Sequence, residues 1–309
     1  MASETKISRL CSRLNWTDRG LLGWYAGLGI ALLCSARYRS SGQHHLSEHS
    51  VIIATILVLT MLSDRGRWFR FAHDWYPMFV FIAAFEEIAR LSLMFVPTWQ
   101  DTVVLRAEAA LFPTEPNVWL SGWHGSFTTE VLEFGYFTFY WILPVVGGFL
   151  YPLIWQAGTH KEAMDSRQPF RVWMDATVLG YLVCYVTYLL FPTEGPAHTL
   201  GAVVHRDGGP FHWLVLLIQR EGGVHGNAFP SGHVMASVVA LLAALRWKKR
   251  LGLWLVAPVL LMCLGAVYDG YHYASDIVAG GIVGAMAFYI VTSIRLPESR
   301  RRGVNLGSP

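Results

Sequence analysis

The chain has 309 residues, of which 53% are apolar and only 15% are charged, and its formal net charge is +3. Several apolar runs approach the roughly 20 residues that a helix needs to cross a bilayer. The composition therefore predicts a helical membrane protein, and the small positive charge, spread over separate patches, argues against a nucleic-acid-binding protein.

The apolar runs, taken in chain order, predict about eight membrane spans. They lie at residues 20–36, 48–63, 75–96, 131–155, 171–192, 230–246, 251–267 and 275–294. The first run follows basic residues, as in a signal peptide, but it lacks a small-x-small cleavage site, so we expect a retained span. The predicted fold is an all-α, polytopic transmembrane helical bundle.

Lysine and arginine are distributed unevenly between alternate connections of these spans. Of the 24, 18 fall on the side that holds both termini, 5 fall on the opposite side, and Arg90 lies inside a span. Because cytoplasmic loops concentrate positive charge, both termini are predicted to be cytoplasmic. The cysteines Cys11, Cys34, Cys184 and Cys263 form no CxxC pair, so they indicate neither a disulfide framework nor a zinc site.

Charged residues interrupt the third predicted span at Glu86, Glu87 and Arg90. Each charge costs about 2.5 to 3.5 kcal/mol at the centre of a membrane helix, so this face of the helix must contact protein or water. Glu86 and Arg90 are spaced for an i, i+4 ion pair. Two interpretations stay open: a structural polar bridge, or a contact with a substrate headgroup.

Residues 97–130, which connect the third and fourth spans, are polar enough to leave the lipid. The stretch VVLRAEAALF with Trp119 and Trp123 fits an amphipathic helix at headgroup depth, which could serve as a lid or as a plain connector. Glu130 and Glu133, at the start of the fourth span, are expected to face either the site or water.

The sixth span begins with Pro230-Ser231-Gly232-His233, within the stretch GNAFPSGH. Proline is tolerated in a first helical turn, and the backbone N–H groups of that turn have no intrahelical acceptor. A helix start of this kind binds anions.

The eighth span is preceded by YDGYHYASD, in which His272 and Asp276 are four residues apart. At this spacing the carboxylate can accept a hydrogen bond from one ring nitrogen and leave the other nitrogen as a nucleophile. In the predicted topology both motifs lie on the outer face. Two histidines, a carboxylate and an anion-binding helix start indicate phosphoryl transfer through a phosphohistidine.

These motifs resemble the type-2 phosphatidic acid phosphatase superfamily. The sequence PSGH at 230–233 corresponds to its second motif, His272-x-x-x-Asp276 to its third, and FPTEGPAH at 191–198 stands in the place of its first. The stretches DWYP at 74–77 and LRAEAALFPTEP further resemble the membrane branch of inositol phosphotransferases and inositol phosphorylceramide synthases.

The resemblance implies a six-helix phosphatase-like core within a catalytic domain at residues 71–294. Residues 1–70 would form a cytoplasmic tail with two accessory spans, and residues 295–309 a basic cytoplasmic tail. The implied substrate is a lipid phosphate or phospholipid in the inner or plasma membrane, bound at the outer face and cleaved or transferred without a metal or other cofactor.

The resemblance also implies a role for each motif residue. His272 would be the nucleophile, Asp276 would orient it, and His233 would protonate the leaving oxygen. Ser231 and Gly232 would hold phosphate oxygens.

Two departures from the superfamily pattern reduce the positive charge expected around the phosphate. Ala266 stands where the third motif has arginine, with Gly265 where serine is usual, and Ala197 stands where the first motif has arginine. Arg220 and Arg206 are the candidate replacements, with His198, His205 and His225 as titratable helpers. The alternative is a catalytically impaired lipid-binding or transport protein on the same scaffold.

Overall fold

The computed structural model describes residues 6–35, 42–123, 125–151, 167–200, 208–222 and 226–296. These residues are predominantly helical and contain no strand, which confirms the all-α fold. In chain order the helices are α1 Lys6–Arg13, α2 Trp16–Cys34, α3 Gly42–Leu62, α4 Arg67–Leu91, α5 Asp101–Leu111, α6 Pro116–Ser121, α7 Ser126–Phe137, α8 Phe139–Leu150, α9 Gln168–Leu190, α10 Pro196–Thr199, α11 Pro210–Gly222, α12 Gly232–Trp247, α13 Lys249–Tyr268 and α14 Ala274–Arg295.

Five helical segments in the described ranges are long and apolar enough to cross a membrane. They are His44–Arg65, Ser126–Leu150, Gln168–Leu190, Lys249–Tyr268 and Ala274–Arg295, and Gly232–Trp247 is a shorter apolar helix. The segments support a helical membrane protein, whereas the full count of eight spans stays a prediction.

The chain divides into two compact units, Met1–Glu87 and Ile88–Pro309, which are described separately. The predicted functional boundaries at residues 70 and 294 are not tested by this division and stay a prediction.

In the N-terminal unit, Asp18 connects the start of α2 to α4. Asn15 and Asp18 form a reciprocal capping box at the first turn of α2. The buried Asp18 carboxylate also accepts a hydrogen bond from the Tyr76 hydroxyl at 2.7 Å and lies 3.1 Å from the His73 Nε2 atom. Tyr76 belongs to the DWYP stretch, so this stretch has a structural role in the packing of α4 on α2.

The charged residues of α4 differ in exposure. Glu87 is buried, and its carboxylate contacts two histidines of α3, His45 and His49. Glu86 and Arg90 are exposed. The polar bridge from α4 to α3 therefore uses Glu87, and the predicted Glu86–Arg90 ion pair stays a prediction.

In the C-terminal unit, α12 packs closely against the glycine face of α14. A Cβ atom at Gly280 would collide with the Ser231 carbonyl oxygen, and one at Gly284 would lie 2.5 Å from the carbonyl oxygen of Met235. Small residues let membrane helices approach at backbone distance in this way. The packing holds the start of α12, which carries the PSGH motif, against the first turns of α14.

Candidate active site

Hydrogen bonds join the three segments that carry the motifs, which are residues 191–198 (first), 226–233 (second) and 268–276 (third). Thr193 accepts the Phe229 N–H on its hydroxyl at 2.8 Å and the Ala228 N–H on its carbonyl at 3.4 Å, which joins the first segment to the second. The Ala197 N–H donates to the Gly270 carbonyl at 3.0 Å, which joins the first segment to the third.

The start of α12 is fixed by Ser231, which is fully buried. Its hydroxyl accepts the Val234 N–H at 3.3 Å as an N-cap, and its own N–H donates to the Asp276 carbonyl at 3.0 Å. The motif therefore forms the first turn of α12, and the N-terminal turn of a helix is a position that favours the binding of an anion.

His272 and Asp276 form the predicted pair, and both are buried. The His272 Nδ1 atom lies 3.3 Å from Asp276 Oδ2, and the same oxygen accepts the Tyr273 N–H at 2.9 Å. The His272 N–H donates to the Ala266 carbonyl at 3.0 Å. The orientation of the imidazole is therefore set by its own backbone and by a carboxylate that is itself anchored.

His233 lies in the first turn of α12, close to His272. The two ring centroids are 5.9 Å apart with an interplanar angle of 63°. The His233 ring packs edge-on against Phe139 at 4.3 Å and against Tyr136 at 5.6 Å. The structure thus brings the two predicted catalytic histidines into one site with an aromatic wall.

The environment of His272 favours the neutral imidazole. Burial lowers the pKa of His272 from 6.5 to about 4, although a hydrogen bond to the backbone of Ala228 acts in the opposite direction. A nucleophilic histidine must be neutral, so this shift prepares the side chain for attack at neutral pH.

Asn117, in α6, supports the loop that carries His272. Its amide nitrogen donates to the Val267 carbonyl at 2.7 Å and to the His272 carbonyl at 3.0 Å, and the side chain is fully buried. Sequence reasoning did not single out Asn117, because an asparagine in a short helix carries no motif.

Asp101, at the start of α5, forms hydrogen bonds with the first and third motif segments. Its carboxylate accepts the backbone N–H groups of Glu194 and Gly195, each at 2.9 Å, and the Tyr273 hydroxyl at 3.0 Å. Gly195 has a positive φ of 99°, a conformation that glycine adopts readily. The Asp101 carboxylate therefore stabilises the turn at Gly195, and the glycine of FPTEGP allows that turn.

Glu108, one turn before the end of α5, binds the start of α14. Its Oε1 atom accepts the Ser275 N–H at 2.6 Å. Burial and a hydrogen bond to Glu108 raise the pKa of Glu115 to about 7. The predicted helix in residues 97–130 thus directs carboxyl groups towards the third motif, while its role as a lid stays a prediction.

A second group of carboxyl side chains lies near the aromatic wall. Glu133 contacts the His212 Nδ1 atom at 2.9 Å and is hydrogen bonded to Asp269. Burial and the negative charge of Glu133 raise the pKa of Asp269 well above its usual range. The Tyr271 ring packs against Tyr136 at 4.6 Å, next to this group. Glu133 is therefore buried beside the aromatic wall, so it does not face water, which was one of the two options that the sequence left open.

Glu130 has a different role from Glu133. Its carboxylate accepts the backbone N–H groups of Gly209, Phe211 and His212 at 2.6 to 3.1 Å. A carboxylate at this position stabilises the first turn of α11.

Only some of the candidate phosphate-binding side chains lie in the described residues. Arg220 is exposed in the last turn of α11, next to Gln219, whose amide donates to the Tyr136 hydroxyl at 3.2 Å. His198 is exposed on α10. Arg206 and His205, in residues 201–207, and His225, in residues 223–225, lie outside the described residues.

The positions of the missing arginines are occupied by small residues. Ala266 is buried, and its carbonyl accepts the N–H groups of both Tyr271 and His272 at 3.0 Å. Ala197 is exposed on α10. The backbone around Ala266 is therefore used to shape the histidine loop.

Part of the chain matches a known protein family. Residues 182–300 match the family model of the PAP2 superfamily, a range that includes Ser231, His233, His272 and Asp276 but not the DWYP stretch. No curated protein and no solved structure matches the chain. The family match, together with the paired histidines, supports the PAP2 superfamily for this chain.

Proposed function

We propose that the protein is an integral membrane lipid phosphatase or phosphotransferase that forms a phosphohistidine at His272. The observation that carries the proposal is the His272–Asp276 pair at 3.3 Å, with His233 beside it at the start of α12. The match to the PAP2 superfamily, whose members are phosphatases and phosphotransferases, supports the same chemistry.

In the first step, the His272 nitrogen that does not face Asp276 attacks the phosphorus atom of the lipid. A P–N bond forms and the P–O bond to the lipid breaks, while His233, protonated once the anionic phosphate is bound beside it, gives its proton to the leaving oxygen. The Asp276 carboxylate stabilises the positive charge that develops on the imidazole. The Ser231 hydroxyl and the Gly232 amide donate hydrogen bonds to the phosphoryl oxygens.

In the second step, water or an acceptor alcohol attacks the phosphorus atom. The neutral His233 takes the proton of the attacking hydroxyl, and the P–N bond breaks to restore His272. Water gives hydrolysis and an alcohol gives transfer, so the molecule admitted to the site decides between phosphatase and phosphotransferase.

The negative charge of the transferring group needs partners other than the superfamily arginines. The amide groups at the start of α12 supply part of this stabilisation. Arg220, Arg206 and His198 are the proposed further ligands, because they flank the motif segments in the sequence. The rival proposal, a catalytically impaired lipid-binding or transport protein, is favoured by Ala266 and Ala197.

We place the site at the outer face of the plasma membrane, with both termini in the cytoplasm. The argument is the bias of lysine and arginine towards one set of connections, with the motifs on the opposite side.

The proposal is tested by incubating the purified full chain in detergent with a lipid panel that includes phosphatidic acid, a polyprenyl diphosphate and an inositol phospholipid. Inorganic phosphate and headgroup-exchange products are measured for the wild type, for His272→Ala, and for His44→Ala as a control histidine in the N-terminal unit. We expect activity in the wild type and in His44→Ala and background activity in His272→Ala. Background activity in all three folded proteins would favour the rival proposal.

A further inference from the structure

The N-terminal unit contains a second cluster of histidine and carboxylate side chains, formed between α3 and α4. The Nδ1 atom of His45 lies 3.1 Å from Glu87 Oε1, and the Nε2 atom of His49 lies 2.7 Å from the same oxygen. Glu48 Oε2 lies 3.6 Å from His45 Nδ1. The ligand atoms of His45, Glu48 and Glu87 all lie within 4.8 Å of one another.

These separations match those of ligands around one metal ion. In a tetrahedral zinc site with bonds of about 2.0 to 2.2 Å, neighbouring ligand atoms are about 3.3 Å apart. The separations from His45 Nδ1 of 3.1 Å to Glu87 Oε1 and 3.6 Å to Glu48 Oε2 lie on both sides of that value. One imidazole and two carboxylates, with a water in the fourth position, form a ligand set of zinc and similar transition metals, whereas Mg²⁺ and Ca²⁺ favour oxygen ligands alone.

The burial of the cluster gives a second argument for a cation. His45, His49 and Glu87 are 5%, 3% and 3% exposed. A buried carboxylate within an apolar helix is stable only when its charge is balanced, and Glu48 adds a second carboxylate nearby. A divalent ion balances both.

Hydrogen bonding within the described residues leaves part of the cluster unsatisfied. The His49 Nδ1 atom and the Tyr25 hydroxyl are buried polar atoms without a hydrogen-bond partner there. The Tyr25 ring packs edge-on against the His49 ring at 5.0 Å, and its hydroxyl lies within electrostatic range of Glu87 and Glu48. Buried polar atoms are rarely left unpaired, and a water bound to an ion at this cluster would supply a hydrogen-bond partner for them.

We propose that His45, Glu48 and Glu87 bind one divalent transition-metal ion, with zinc the best match, and that the ion links α3 to α4. His49 contacts the Glu87 carboxylate at 2.7 Å and would orient this ligand. The site is independent of the proposed phosphohistidine chemistry, since none of its residues belongs to the PSGH or HxxxD motif.

The test uses the full chain, purified in detergent with an affinity tag that contains no histidine. The protein is stripped with a chelator, incubated with Zn²⁺, desalted and analysed for metal by mass spectrometry, in the wild type, in Glu87→Gln, and in Glu86→Gln as the matched exposed control. We expect one zinc per chain in the wild type and the control. Zinc affinity should fall at least about 10-fold in Glu87→Gln, because a ligand is lost.

Cobalt supplies a readout that does not depend on metal content alone. Stripped wild type loaded with Co²⁺ should show the intense visible bands of tetrahedral coordination, and Glu87→Gln should not. Equal zinc content in Glu87→Gln and wild type, or no retention of zinc by the wild type, would overturn the proposal.

A third measurement covers the case in which Glu87→Gln fails to fold. Reloading stripped wild type with Zn²⁺ should raise its Tm, because an ion that binds only the folded state stabilises it. An unchanged Tm together with no cobalt bands would also overturn the metal site.

Discussion

The C-terminal unit and the N-terminal unit each bury histidine beside carboxylate, but they arrange these groups differently. At the candidate active site, one carboxylate oxygen of Asp276 contacts both the His272 ring and the Tyr273 backbone N–H. The ring centroids of His272 and His233 are 5.9 Å apart. In the N-terminal unit, two imidazole nitrogens converge on one oxygen of Glu87. The separated arrangement suits a phosphoryl group between the two histidines, whereas the closely grouped ligand atoms of His45, Glu48 and Glu87 suit a single cation.

The largest expected effect is a loss of catalysis at the candidate active site without a loss of zinc binding in the N-terminal unit. His233→Ala should lower kcat about 10²- to 10⁴-fold, because the leaving oxygen loses its proton donor. A nitrophenyl phosphate ester, whose leaving group needs no proton, should be affected much less. Zinc content should stay at the wild-type value, because no proposed zinc ligand is changed, and a loss of zinc in this variant would contradict the assignment of separate functions to the two clusters.

The lowered pKa of His272 predicts a difference between the wild type and His272→Gln in how stability depends on pH. Its pKa is lowered to about 4 in the folded chain from 6.5, so the unfolded chain binds the proton more readily. The stability of the wild type should therefore be complete above about pH 6.5 and fall as the pH approaches 4, by roughly 3 kcal/mol at most. Thermal unfolding as a function of pH should show a shallower dependence in His272→Gln, and identical slopes would contradict the shift.

Adjacent glycines of α14 test whether close helix packing holds the active site. A Cβ at Gly280 collides with the Ser231 carbonyl, whereas a Cβ at Gly281 meets open space. Gly280→Ala should destabilise the protein by about 1 to 3 kcal/mol and lower activity. Gly281→Ala should be neutral or stabilise by up to about 1 kcal/mol, through helix propensity. Equal Tm values for the two variants would show that the glycine face is not a close contact.

The smallest expected effect concerns the support behind His272. Asn117→Leu removes two hydrogen bonds to buried carbonyls, each worth about 1 kcal/mol. Because Asn117 positions the loop and touches no reacting atom, we expect roughly a tenfold fall in kcat with KM nearly unchanged. A change in KM alone would assign Asn117 to substrate binding instead.

The sequence identified the fold class and the central residues of the site for physical reasons. Apolar runs of membrane length required helices, and the spacing of His272 and Asp276 predicted the contact that the structure shows. Ser231 was predicted to bind phosphate, which stays a prediction, and the structure shows that it caps α12.

The surrounding contacts could not be predicted in the same way. Asn117 and Asp101 act across sequence separations of 155 and 172 residues on His272 and Tyr273, and no local pattern encodes such contacts. Glu87 was recognised as a costly charge, but its partners lie on another helix. The segment HHLSEH at 44–49, in which His45 and His49 are four residues apart and so share a helix face, was the available signal for them.

The central claim is that His272 carries the phosphoryl group during turnover. The most direct measurement is to quench the wild type under alkaline conditions while it turns over a radiolabelled lipid phosphate, and to locate the label by peptide mass spectrometry. The account predicts an acid-labile phosphoryl group on His272 that is absent from His272→Ala. A label on a different residue, or full turnover by His272→Ala, would contradict it.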